Sequence, residues 1–149
     1  MANILIAGAG KGIGLATALA FARTGHTVAA GVRNPDAATE LAEITSRERL
    51  KISVETLDVD DDLSVNRAIK RLTASIGDID VLVNNAGIER VGATEDLSMD
   101  DFKASMETNY LGAVRCIKAV LPSMRGKRSG CIVNVTSITG RLANSPFGA

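Results

Sequence analysis

Four glycines, Gly8, Gly10, Gly12 and Gly14, fall within seven residues in AGAGKGIG. A β-rich run precedes them and an Ala-rich stretch of helical period follows. At such a junction the chain can come close to a ligand, and the unpaired N–H groups of a helix start favour an anion such as phosphate. A tight turn is the other use of such glycines. The spacing is not G-x-G-x-x-G, because the sixth position counted from Gly8 is Ile13. It is not a phosphate loop of the G-K-[ST] kind either, because Gly12 follows Lys11. The pattern that fits is G-x-x-x-G-x-G on Gly8, Gly12 and Gly14.

Other polar residues close later β-rich runs. LDVDD carries Asp58 and Val59, NNAG carries Asn84, Asn85, Ala86 and Gly87, and VTS ends at Ser137. Amides after a strand can also simply make a turn, and so can a serine. Asn109, in ETNYLGAV, sits within a helical pattern, where its side chain competes for the backbone. Arg33 closes the second run and Lys11 stands inside the glycine turn.

Short β-rich runs at 4–7, 27–32, 52–57, 81–83 and 132–135 must position these groups. Helical periods lie between them. The stretch 14–23 is Ala-rich. The stretch 35–46 carries Ala38, Leu41, Ala42 and Thr45 on one face, and 63–76 repeats Leu63, Ala68, Ile69, Leu72 and Ile76. The longest is 98–121, opened by a Ser98–Asp101 capping box and ended by Pro122, with Phe102, Met106, Ala113, Val114, Ile117 and Val120 or Leu121 facing inward. Such alternation predicts an α/β fold of three layers, a doubly wound parallel sheet of Rossmann type with helices on both faces. Polar residues at the carboxyl ends of its strands then share one crevice.

Composition agrees with one domain over 1–149. The chain is 46% hydrophobic with 3% aromatics and no Trp, so Ala, Val, Ile and Leu must build the core. Its 17 basic and 17 acidic residues balance, which gives no electrostatic reason to expect nucleic acid or an acidic membrane. The first residues lack a basic region, and the apolar run after them is too short for a span. Cys116 and Cys131 lack metal-ligand spacing and read as two buried thiols in a reducing, cytoplasmic setting. No metal site is expected. The cluster Arg125-Gly126-Lys127-Arg128 reads as a solvated loop at the negative end of a helix.

Taken together, AGAGKGIG, LDVDD, NNAG and VTS resemble the short-chain dehydrogenase/reductase family from Ala2 to Ala149. The resemblance implies strand order 3-2-1-4-5 and a nicotinamide cofactor. Gly8, Gly12, Ile13 and Gly14 would line its pyrophosphate, Asp58 and Val59 its adenine, and Asn85, Ala86 and Gly87 its inner side. An acidic residue after the second strand would select NAD, whereas Arg33 there, with Lys11, suits the 2′-phosphate of NADP(H). Asp36 is a rival ribose ligand, read instead as a first-turn helix residue. The expected activity is hydride transfer between NADP(H) and a carbonyl or alcohol substrate. Ser137 would bond the substrate oxygen, and Asn109, at a helix distortion, would hold a water in a proton relay. Residues 88–97 would line one wall of the substrate pocket.

The family's Tyr-x-x-x-Lys is absent. Tyr110 is the only tyrosine, and Lys118 lies eight residues after it. By the family's count from Ser137 the tyrosine falls just past Ala149. The sequence therefore reads as a piece that ends one step short, with the segment 144–149 as the approach and the fifth strand left as an apolar edge. The complete protein would be a homo-oligomer, a dimer or tetramer. A non-catalytic NADP(H)-binding module is the competing reading. A phosphotransferase is excluded by the missing Lys-Ser/Thr.

Overall fold

The structure, a computed structural model, describes residues 1–142. The segment 144–149 lies outside them. Five parallel strands form one sheet in the order β3-β2-β1-β4-β5, with β1 Asn3–Ala7, β2 Thr27–Val32, β3 Ile52–Thr56, β4 Val81–Asn84 and β5 Cys131–Asn134. β1 is central, pairing Ile6 with Ala30 on one side and with Val83 on the other. Strands buried on both faces need continuous apolar runs. Ile4, Leu5 and Ile6 are all essentially inaccessible, and burying each contributes about 1.5–3 kcal/mol.

The helices are α1 Gly12–Arg23, α2 Thr39–Glu48, α3 Asp62–Ile76, α4 Met99–Met106 and α5 Gly112–Gly126. Two hydrophobic clusters result. One packs Leu15, Ala18 and Leu41 against Ile4, Ile6, Val28 and Ala30. The other packs Val65, Leu72, Cys116 and Val120 against Leu5, Ala29 and Leu82.

Several expectations need correction. The stretch after β2 is not one helix. Asn34 caps a 3-10 turn at Pro35–Ala37 through a bond from Asp36 N–H, and Ala38 leaves helical geometry before α2 begins. Ala42 is exposed. In α3 the inner stripe is Val65, Ala68 and Leu72, while Leu63, next to the Asp61 cap, is exposed.

The expected long helix over 98–121 is three pieces. The Ser98–Asp101 capping box opens α4, a π-helical turn occupies Glu107–Leu111, and α5 follows. Pro122 lies inside α5 rather than ending it. Its missing N–H leaves the carbonyl of Lys118 unserved, and both residues are exposed, so water can take over. The π turn also shifts the helical phase. The buried positions become Ser105, Thr108, Gly112, Cys116, Val120 and Met124, and Met106 turns outward at 56% exposure.

Cys116 is buried but Cys131 is exposed, because β5 is an edge strand of the described sheet. Lys127 is not a solvated loop cation. Its Nζ donates to Asp80 Oδ1 at 2.6 Å and to the Ile79 carbonyl at 3.1 Å, tying the end of α5 to the start of β4. Among the described residues no helix is long and apolar enough to cross a membrane.

Candidate functional site

The order 3-2-1-4-5 makes successive crossovers leave β1 and β4 on opposite sides, which opens a crevice at their carboxyl ends. A cleft of about 740 Å³ lies there. Gly8, Gly10, Lys11, Gly12 and Ile13 line it from the first loop, Arg33 and Asn34 from the second, Asp58, Val59 and Asp60 from the third, and Asn85, Ala86, Gly87 and Ile88 from the fourth.

The glycine turn is built by close approach. Gly8 has φ +82°, and a Cβ there would come within 2.7 Å of the Ala86 backbone. At Gly14 a Cβ would lie 2.2 Å from the Gly8 carbonyl oxygen and 2.5 Å from Asn85 Nδ2. Asn85 Nδ2 also donates to that carbonyl at 2.8 Å, so one amide joins the two cleft loops. Gly14 is therefore a packing residue behind the turn and not part of the cleft wall. Gly12 faces open space. The first N–H groups of α1 have no intrahelical acceptor, no side chain caps them, and no acidic residue occupies the first turn. These features suit an anion.

Arg33 and Lys11 both line the cleft, both are exposed, and neither forms an ion pair among the described residues. Asp36 does not line the cleft. Along the third loop, Asp58 Oδ1 accepts from Asp60 N–H at 3.1 Å, and Asp58 N–H donates to Ser64 Oγ at 2.9 Å. Asn84 Nδ2 donates to Asn134 Oδ1 at 2.8 Å, directly across from β4 to β5.

Asn109 stands in the π turn, as the resemblance implies, and its amide bonds the backbone of Ile88 twice. Oδ1 accepts from Ile88 N–H at 2.8 Å and Nδ2 donates to the Ile88 carbonyl at 2.9 Å. Ser137 follows β5 at the same end of the sheet. It caps the 3-10 turn Ile138–Gly140, and its Oγ accepts from both Thr139 N–H and Thr139 Oγ1. Neither Asn109 nor Ser137 belongs to the cleft wall itself. Of the expected substrate wall at 88–97, Ile88 lines the cleft, while Val91 is exposed away from it.

Sequence reasoning missed Asn34, Asp60 and Thr108, all of which line the cleft. Thr108 Oγ1 donates to Asp60 Oδ2 at 2.9 Å across 48 residues. No spacing rule signals such a pair. Behind it, burial pushes the Cys116 thiol up to about 11, with the Arg115 charge pulling the other way, so this thiol offers no nucleophile.

A family model described as short chain dehydrogenase matches residues 2–149. An oxidoreductase of Botryotinia fuckeliana is 41% identical over 137 residues, covering 92% of this chain and 49% of that protein. The 2,3-dihydro-2,3-dihydroxybenzoate dehydrogenase of Escherichia coli is 37% identical over 150 residues, covering 99% of this chain and 56% of that protein. Among solved structures, a gluconate 5-dehydrogenase of Burkholderia cenocepacia in complex with NADP and tartrate superposes with a TM-score of 0.89 at 34% identity, covering 98% of this chain and 57% of that one. The chain spans about half the length of the curated relatives it matches. By its matching motifs, strand order and cleft, this chain belongs to the short-chain dehydrogenase family.

Proposed function

We propose that this chain carries the NADP(H) site of an oxidoreductase that moves a hydride between the cofactor and a carbonyl or alcohol. The observation that carries the reading is that Arg33 and Lys11 both line the glycine-lined cleft and that, among the described residues, neither is in an ion pair. A solved neighbour held with NADP supports it. The cleft volume lies within the ordinary range for a bound small molecule.

The residues present fit the group. The N–H groups at Gly12 and Ile13 would hold the pyrophosphate. The Arg33 fork and the Lys11 ammonium would hold the 2′-phosphate through charge-assisted contacts stronger than a neutral hydrogen bond. Val59 would give an apolar wall to adenine, and Asp58, fixed by Ser64 and by its own bond from Asp60 N–H, holds that loop in shape. When bound, the nicotinamide supplies or accepts the hydride.

At the reaction end, Ser137 Oγ keeps its own proton to donate to a substrate oxygen while Thr139 occupies its acceptor side. Asn109 fixes the loop after β4 to the π turn. Its amide uses one of two N–H groups and one oxygen lone pair there, which leaves a donor and an acceptor for a relay water beside this positioning role. Assembly into a dimer or tetramer and a cytoplasmic location belong to the same proposal. Unpaired Cys116 and Cys131 accord with a reducing compartment. Exposed Met106, Tyr110 and Leu111 offer apolar surface for a second copy to cover.

Calorimetric titration with NADPH and with NADH tests the reading. NADPH should bind more tightly, and absence of binding by both would remove it.

A further inference from the structure

We propose that Arg115 and the Asp60–Thr108 hydrogen bond position Asn109 from the adenosine side of the cleft, so that filling that side tightens the Asn109 hold on Ile88. The inference rests on the dinucleotide reading above.

The π turn Glu107–Leu111 is an uncommon backbone that needs support from outside. On one side that support comes from the segment 59–62, partly through Arg115. Arg115 Nε donates to Asp62 Oδ1 at 2.8 Å, its Nη1 donates to the Val59 carbonyl at 3.2 Å, and its Nη2 donates to the Glu107 carboxylate. Thr108 donates to Asp60. Gly112 packs so closely on Val59 that a Cβ would meet Val59 Cγ2 at 2.8 Å. Asn109 sits between these anchored residues and sends its amide the other way, to Ile88.

The turn is thus a bracket. One leg stands on Val59 and Asp60 and the other holds Ile88, and all three line the cleft; on the dinucleotide reading, Val59 and Asp60 face the adenosine. The Arg115 side chain is only 20% exposed, so its charge depends on these acceptors. A planar guanidinium can serve three elements at once, whereas an ammonium is a point charge. A base resting on Val59 orders the 59–62 segment. Whatever freedom that removes is freedom the bracket no longer passes to Asn109, which is a coupling carried by ordering rather than by displacement.

Hydrogen exchange at the Ile88 N–H reads the bracket directly, because that proton is donated to Asn109. Adenosine 2′,5′-bisphosphate is the probe, since it fills only the adenosine end. On the full chain, saturation with it should slow Ile88 exchange by roughly fivefold, the lower range of a coupling between sites. Arg115→Met should abolish that slowing while leaving bisphosphate affinity within about threefold of the wild type, a change smaller than loss of one neutral hydrogen bond commonly brings. Thr108→Val, whose side chain lines the cleft, should abolish the slowing at saturating bisphosphate. Thr108→Ser, which keeps the hydroxyl, should retain the slowing. Bisphosphate binding without any change at Ile88 overturns the coupling and leaves the cofactor reading standing. Failure of the bisphosphate to bind overturns both. The wild-type comparison alone can refute the proposal, so a variant that does not fold leaves it exposed to test.

Discussion

Asn109 holds Ile88 by both backbone groups, accepting from its N–H and donating to its carbonyl across 21 residues. The pairing is a side-chain imitation of a strand ladder, made where no strand exists. It joins the π turn to the loop after β4, and Gly87 makes room for it, since a Cβ there would lie 3.2 Å from Asn109 Oδ1. Asn109→Ala should remove both bonds and destabilise the protein by about 1–3 kcal/mol, with correspondingly faster exchange at the Ile88 N–H. Asn109→Asp should keep acceptance from the N–H but set a carboxylate against the Ile88 carbonyl. That variant should be less stable than the wild type at neutral pH and recover part of the difference near pH 4, where an ordinary Asp begins to protonate and can donate. Urea unfolding at the two pH values measures it, and equal deficits at both would refute the donor argument.

Gly14→Ala puts two effects in opposition. Alanine favours the helix by about 1 kcal/mol over glycine. Its Cβ would stand 2.2 Å from the Gly8 carbonyl oxygen, which is backbone and cannot swing aside. Overpacking typically costs about 1–3 kcal/mol, and here both cleft loops must shift. The expected outcome is net destabilisation together with weakened dinucleotide binding. Gly12→Ala is the contrasting case. It meets nothing within 4 Å but keeps φ +57°, so it should cost only about 1–2 kcal/mol of backbone strain. Denaturation midpoints for the pair, compared with calorimetry, check the order.

The strands and most of the cleft were legible because their signals are local, whereas the strand order came only with the family resemblance. Each β-rich run ends in its own polar residue, and a parallel sheet collects those ends on one side. The π turn was not legible in the residues themselves. It inserts a phase shift, so Met106 reads as inward by period and lies outward in fact. Thr108 and Asp60 carry no mutual signal at 48 residues' separation. Lys127 sits in a basic run that looks solvated, and only the end of α5 meeting β4 gives it Asp80 as a partner. Pro122 shows the limit of a stop signal, since an exposed proline can remain inside a helix whose freed carbonyl faces water.

Arg33→Ala tests the charge selection at the far end of the cleft. A hydrogen bond to a charged group contributes about 1.5–3 kcal/mol, so NADPH affinity should fall roughly tenfold or more. NADH lacks the 2′-phosphate, and its affinity should change little. Lys11→Ala should act in the same direction but less, because the ammonium it removes is a point charge without the planar fork of a guanidinium. Paired titrations with both nucleotides decide the matter, and equal losses for the two would deny Arg33 its selective role.

Asp80 supplies the acid sensitivity of the opposite end of the sheet. Its carboxyl is held below the usual value of 3.8, first by the hydrogen bond from Lys127, then by the Asn3 N–H, with burial working against them. The Asn3 bond is 2.9 Å, and it anchors the start of β1 beside the start of β4. A carboxyl with a depressed folded-state pKa adds stability above its unfolded value and loses it as pH falls through the folded one. Stability should therefore decline on acidification through the region around and below pH 3.8. Asp80→Asn should be less stable than the wild type at pH 7 and should converge on it in strong acid, because the asparagine has no charge to lose. Lys127→Met should flatten the same slope by removing the largest cause of the depression. Urea midpoints from pH 7 down to pH 2.5, on all three proteins, give the comparison. Parallel curves for the wild type and Asp80→Asn would show that this pair does not set the acid limb.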